Sequence, residues 1–309
     1  MEARDPARLR ARIEELKRER RAVVLAHNYQ LGEIQDAADH VGDSLELSRL
    51  AARSPAEVIV FCGVHFMAET AAILAPDKQV LIPVPRADCA MARMADADGL
   101  RAMKARHPGA QVVCYVNTTA EVKAECDICC TSANAERIVA GLPAEGEVIF
   151  VPDRNLAKHV EARTGRRLLA WPGHCPPHAR LRPEDVSEQR SRFPGAEVIV
   201  HPECPPDVNR LADAVMSTGG MVRHARESRA PVTIVGTEIG LIYRLRRENP
   251  DKRFVPLSEQ AVCPDMKLTT LEDLVASLEL GQHRVTVPEE IRRRAERAVM
   301  RMVEVGAQV

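Results

Sequence analysis

The chain has 309 residues, 45% apolar and 28% charged, with a formal net charge of −1. That is the balance of an ordinary globular protein, long enough for two or three small domains. It excludes a nucleic-acid binder driven by basic excess, its 3% aromatics are too few for a base-stacking platform, and no apolar run approaches the roughly 20 residues of a membrane-spanning helix.

In the opening "MEARDPARLRARIEELKRERRA", Leu9, Ile13 and Leu16 share one face, which predicts a charged surface helix within residues 1–20. The segment lacks the apolar core of a signal peptide, and its acidic residues argue against a transit peptide. The cytoplasm is therefore the expected compartment. There the nine cysteines, an odd number, are expected to be thiols, metal ligands or catalytic groups rather than paired disulfides. Next comes a short apolar strand ending at His27. Ile34, Ala37, Ala38 and Val41 then follow at helical spacing, and "EVIVFCG" and "QVLIPVP" read as two further strands. The same order returns twice. One copy runs through "VVCYVN", "EVIFVPD" and "RRLLAWP", the other through "VIVHPE", "PVTIVGT" and "KRFVPLS". A last helix, "VTVPEEIRRRAERAVMRMVEV", with Pro288 near its start, closes the chain within residues 283–309.

The copies keep a common period. His27, Tyr115 and His201 end the first strands, at intervals of 88 and 86 residues; Tyr29, Asn117 and Glu203 lie two positions on. Seventeen positions after each opening residue stands a hydroxyl: Ser44, Ser132 and Thr218. Just beyond each third strand stands one cysteine: Cys89, Cys175 and Cys263, at intervals of 86 and 88. Strands alternating with helices imply parallel sheets with right-handed crossovers. The expected fold is α/β: three similar three-layer α/β/α units, at 21–109, 110–196 and 197–282, with small parallel sheets around a pseudo-threefold axis.

Ligands of open parallel sheets bind beyond the carboxyl ends of the strands, where every one of these residues lies. Packing the three units together would give one site with three thiols, a ring of His, Tyr, Asn and Glu, and three hydroxyls. Ser44 opens a helix, with Asp43 and Glu46 spaced as a capping box, and Ser132 and Thr218 are expected at the same place in their units. A lone Ser or Thr there is most simply a cap; three facing one cavity suit a small polyanion. A lone cysteine is most simply a buried small hydrophobe, but three at a repeated post-strand position are candidate ligands. Zinc with three thiolates usually takes a fourth protein ligand. A 4Fe–4S cluster held by three leaves one iron open as a Lewis acid.

The compact "CDICC" invites a rival metal reading. In the other units, however, Cys126, Cys129 and Cys130 correspond to Ala38, Val41 and Gly42 and to Ala212, Val215 and Met216, which are packing residues, so core thiols are expected. Cys62, Cys114 and Cys204 are also expected to be secondary.

The stretches "AHNYQ", "GDSLELSR", "YVNTTAEVKAECDICCTSANA", "PDRNLA", "HPECPPDV", "MSTGGM", "TEIGLIYRL" and "CPDMKLTTLEDL" together resemble the quinolinate synthase family (the A-type enzymes of NAD biosynthesis) over nearly the whole chain. The resemblance implies condensation of iminoaspartate with dihydroxyacetone phosphate to quinolinate, phosphate and water. It implies a central 4Fe–4S cluster on Cys89, Cys175 and Cys263. It also implies substrate contacts at His27, Tyr29, Ser44, Tyr115, Val116, Asn117, Ser132, His201, Pro202, Glu203 and Thr218, and an aspartate oxidase or dehydrogenase as supplier of iminoaspartate. Asp88, before Cys89, and Pro177, before His178, depart from the family's usual residues. Glu203 is the candidate general base, with Tyr29 and His201 as proton carriers. A hydro-lyase using the same open iron, a non-catalytic Fe–S sensor and a zinc enzyme are the competing readings.

Overall fold

The protein is described by a computed structural model covering residues 5–305; the outermost parts of the expected terminal helices, 1–4 and 306–309, lie outside the described residues. The first unit runs α1 (Pro6–Glu19), β1 (Ala22–His27), α2 (Gly32–Ala37), β2 (His40–Gly42), α3 (Ser44–Arg53), β3 (Val58–Cys62), α4 (His65–Leu74) and β4 (Gln79–Leu81). The second runs α5 (Ala97–Arg106), β5 (Gln111–Tyr115), α6 (Ala120–Lys123), β6 (Ile128–Cys130), α7 (Ala135–Ala140), β7 (Val148–Val151), α8 (Arg154–Thr164), β8 (Leu169–Ala170) and α9 (Pro176–Ala179). The third runs α10 (Pro183–Arg192), β9 (Glu197–Val200), α11 (Pro206–Leu211), β10 (Ala214–Val215), α12 (Thr218–Glu227), β11 (Val232–Gly236), α13 (Gly240–Glu248) and β12 (Arg253–Pro256). Helices α14 (Leu271–Leu280) and α15 (Glu289–Val305) follow.

Each unit holds one four-stranded parallel sheet, ordered β2-β1-β3-β4, β6-β5-β7-β8 and β10-β9-β11-β12. The topology is the same three times, as the repeat predicts. Alternating strand residues serve two faces. Val24, Ala26 and Val60 pack with Ile13, Ile34 and Leu274 on one side of the first sheet, and Leu25, Ile59 and Phe61 with Leu47 and Phe66 on the other. Sheets covered on both faces explain the continuous apolar runs.

The fourth, short strand of each sheet is not evident in the sequence. Helix α2 ends at Ala37, so Val41 belongs to β2 and not to the expected helix. An aspartate makes the break. Asp39 Oδ2 accepts from the Val24 N–H at 2.8 Å, while its own N–H donates to the Val24 carbonyl at 3.0 Å. Asp127 clips Val112, and Asp213 clips Val198, in the same two-bond way. Each clip starts a two- or three-residue edge strand, too short to show a period of its own.

The connecting helices pack forward along the chain. Arg101 and Lys104 of α5 reach Glu125 of the second unit at 2.7 Å each, and Val186 of α10 joins the core of the third sheet. Among the described residues helix α14 has no fourth sheet to cover. Leu271, Leu274 and Leu278 instead return to the first unit, against α1 and β3, and close the ring. Helix α15 lies across α4, α6 and β6, burying Ala295, Ala298, Val299 and Met302.

Candidate active site

In all three sheets the strand order reverses between the first and third strands of the unit, and side chains at those carboxyl ends face a common space. His27 ends β1 and Tyr115 ends β5; His201 follows β9, its N–H still bonded to the Gly236 carbonyl at 3.0 Å. One cavity is lined by Cys89, Cys175 and Cys263 together with His27, Tyr29, Ser44, Tyr115, Asn117, Ser132, His201, Glu203 and Thr218. Val116 and Pro202 do not line it. Both are buried, and the Val116 N–H is spent on the Cys130 carbonyl at 2.8 Å.

The hydroxyls are placed in two ways. Asp43 caps α3 and forms the expected box with Glu46, so Ser44 is the first helical residue; Thr218 likewise opens α12 behind the cap Ser217. Ser132 differs from the expectation. Asn134 Oδ1 accepts from the Thr131 N–H at 2.7 Å and its amide holds the Met302 carbonyl, so a turn intervenes and α7 begins only at Ala135.

Hydrogen bonds fix the histidine tautomers. The Tyr29 N–H donates to His27 Nδ1 at 3.2 Å, and the Glu203 N–H to His201 Nδ1 at 3.3 Å. In the neutral rings the protons then sit on Nε2, and His201 Nε2 donates to Ser132 Oγ at 3.1 Å. Burial lowers both imidazoles to about 3, so neutral is the resting state. Glu203 is buried and gripped at both oxygens, by the Tyr115 hydroxyl at 2.6 Å and by His178 Nδ1 at 2.7 Å. Burial alone would raise its carboxyl; the neighbouring His178, with the Tyr115 donor, outweighs it and holds the group ionised, well below the usual carboxylate range.

His178 is the principal residue that sequence reasoning passed over. It is 1% exposed and stacks on His201 with ring centroids 4.7 Å apart. Its Nε2 meets Thr237 Oγ1 at 2.8 Å, which in turn meets the Tyr29 hydroxyl at 2.6 Å. A continuous path therefore runs Tyr29–Thr237–His178–Glu203. The signal was its place one turn after Cys175 in "HCPPH".

Cys175, His178 and Glu203 bring ligand atoms within 4.8 Å of one another and form a candidate metal-binding group. The 2.7 Å His178–Glu203 contact is hydrogen-bond length, shorter than the roughly 3–4 Å between donors around one ion at ordinary metal–ligand lengths. The three lining thiols are a different donor set. Burial raises Cys89 to about 12, Cys263 to about 11 and Cys175 well above its ordinary value. All three are free, one from each unit, and neutral until a cation compensates them. Three such thiols without a fourth fit an iron–sulfur cluster better than a closed zinc site. Cys129 and Cys130, by contrast, are fully buried in β6, and Cys126 donates to the Val122 carbonyl at 3.0 Å. None of these three lines the cavity.

The neutral histidines have a consequence for stability. His27 has a folded pKa of about 3 against an ordinary 6.5. The unfolded chain takes up a proton as pH falls through 6.5, while the folded chain does not until about 3. The stability tied to His27 is therefore present above that range and lost as pH falls across it. Replacing His27 by Gln is expected to flatten stability against pH by about 1.4 kcal/mol per unit near pH 5. Denaturant melts of both chains at several pH values measure this; equal slopes would refute it.

A buried ring of titratable groups where three α/β units meet defines an enzyme of the α/β class. Residues 11–304 match the family described as quinolinate synthetase A protein. Over 294 residues the chain is 62% identical to the quinolinate synthase of Dehalococcoides mccartyi strain CBDB1, covering 95% of this chain and 97% of that one. It is 55% identical to that of Methanoregula boonei (97% and 99% covered) and 53% identical to that of Thermodesulfovibrio yellowstonii (93% and 95% covered). The chain belongs to the quinolinate synthase family.

Proposed function

We propose that this protein condenses iminoaspartate with dihydroxyacetone phosphate to form quinolinate, phosphate and water, a step of NAD biosynthesis. An aspartate-oxidising enzyme would supply the imine. Cys89, Cys175 and Cys263 would hold a 4Fe–4S cluster. When bound, it supplies a Lewis acid at the iron without a protein ligand.

The observation that carries this reading is the polarity of the cavity's hydroxyls. The Asn28 amide donates to Thr218 Oγ1 at 3.0 Å, and Arg244 fixes Asn28 by donating to its Oδ1 at 2.7 Å. Ser132 Oγ receives the His201 proton. With an incoming donor on each oxygen, both hydroxyl hydrogens are free to point at an anion, as the carboxylates and phosphate of these substrates require. Asn117 Oδ1 is buried without a partner, an acceptor left for a substrate donor such as the imine N–H.

Glu203, ionised, takes the substrate proton as general base. Tyr29 and His201 carry protons, with Thr237 and His178 linking Tyr29 to Glu203. His27 and Tyr115 position the bound intermediate, and both are buried, as are His201, Glu203 and Thr218. Anaerobic incubation with the two substrates should yield a pyridine dicarboxylate; a hydrated or dehydrated acid in its place would overturn the reading. Thr218→Val should weaken quinolinate binding roughly tenfold by calorimetry. Unchanged affinity would remove Thr218 from the anion ring.

A further inference from the structure

The backbone N–H of each cavity cysteine is held by a carboxylate. Asp153 Oδ2 accepts from the Cys175 N–H at 3.0 Å, and Glu238 Oε1 from the Cys263 N–H at 3.1 Å. The other oxygen of each carboxylate is anchored as well, Asp153 Oδ1 to the Leu156 N–H and Glu238 Oε2 to the Gly240 N–H, both at 2.7 Å. Lys267 adds a contact to Glu238 at 2.9 Å. Asp153 and Glu238 occupy matching places, two residues beyond β7 and β11. In the first unit that place, two residues beyond β3, is Val64, which cannot accept. There the bond comes from elsewhere. Asp88 Oδ1 accepts from the Cys89 N–H at 2.7 Å, and its Oδ2 is anchored by Arg93 Nε at 3.2 Å. The Asp88 N–H itself points to Asp265 Oδ1 at 3.3 Å.

We propose that Asp88 is a positioning residue for Cys89, doing in the first unit what Asp153 and Glu238 do in the others: it holds the ligand loop through the cysteine's peptide N–H and so keeps that N–H from the sulfur. The proposal rests on the cluster reading given above. Peptide donors to cluster sulfur raise the reduction potential, and a fixed carboxylate beside a ligand opposes reduction. A carboxylate fixed at Asp88 therefore favours the oxidised cluster, and Asp88 accounts for the clamp with no strand-end counterpart.

The test uses the full chain, purified and reconstituted anaerobically, with Asp88→Asn and Asp88→Ala. Asn keeps an acceptor of the same shape and removes the charge; Ala removes both. Redox titration followed by electron paramagnetic resonance should find the midpoint potential of the Asn variant more positive than wild type, and that of the Ala variant more positive still. In the metal-free chains, hydrogen exchange of the Cys89 amide should be roughly five- to tenfold faster in Asp88→Ala than in wild type, because that readout follows the hydrogen bond itself. Variants with wild-type potentials, or an unchanged Cys89 exchange rate, would overturn the assignment. A wild-type chain that binds no iron would bring down the cluster reading, an outcome distinct from iron-loaded variants with unaltered potential.

Discussion

Replacing Cys89, Cys175 or Cys263 singly by alanine is expected to abolish iron and acid-labile sulfide binding, while replacing Cys126, Cys129 and Cys130 together is expected to leave both intact. The two sets differ in what surrounds them. The first three thiols line one cavity from three units, and each has its peptide N–H fixed by a carboxylate. With only three protein ligands available, losing one leaves two, too few to retain a cluster that normally takes four. The second set faces the core: Cys129 and Cys130 are 0% exposed, on a strand covered by α15. Trimming them to alanine should lower the melting temperature, at about 1 kcal/mol per residue, without touching the site. Metal analysis after anaerobic purification decides the matter. Iron kept in the single variants and lost in the triple would move the metal to the compact cysteine stretch and undo the functional reading.

Glu203→Gln is expected to keep its iron and lose about 10²- to 10⁴-fold in turnover. The glutamine oxygen can still accept from Tyr115. Its amide, however, cannot take a proton from substrate, and it sets a donor where His178 now meets an acceptor at 2.7 Å. The path from Tyr29 then ends at His178. Single-turnover measurement of quinolinate separates this from a binding defect; wild-type turnover would strip Glu203 of the base role.

Much of this architecture is written in the spacing of residues, and the parts that are not have identifiable reasons. Intervals of 88 and 86 between His27, Tyr115 and His201 place three strand ends before any strand is seen. Asp39, Asp127 and Asp213 repeat at the same intervals and could have located the short strands, but an aspartate in a loop carries no hydrophobic signal. His178 has no counterpart at a repeated position, and its importance lies in partners 25 and 59 residues away, Glu203 and Thr237. The late start of α7 depends on Asn134 reaching a carbonyl of the last helix. The return of α14 onto α1 depends on which apolar face finds which partner. Both are tertiary facts that a local pattern does not contain.

The cavity is three-fold, but the shell around it is not. One face of the first sheet and the core of the second unit form one continuous body, bound across the outside by α15, while the other face of the first sheet keeps a core of its own and the third unit keeps two. Where α13 meets the first unit, the ties are polar: Tyr243 and Arg247 to Asp36, and Arg244 to Asn28 and the Val41 carbonyl. The exposed ties to Asp36 are worth about 1 kcal/mol or less apiece, whereas peeling α15 away would bare a full apolar face. His201, Glu203 and Thr218 come from the third unit and His27, Ser44 and Tyr115 from the other two, so the cavity itself lies across this boundary.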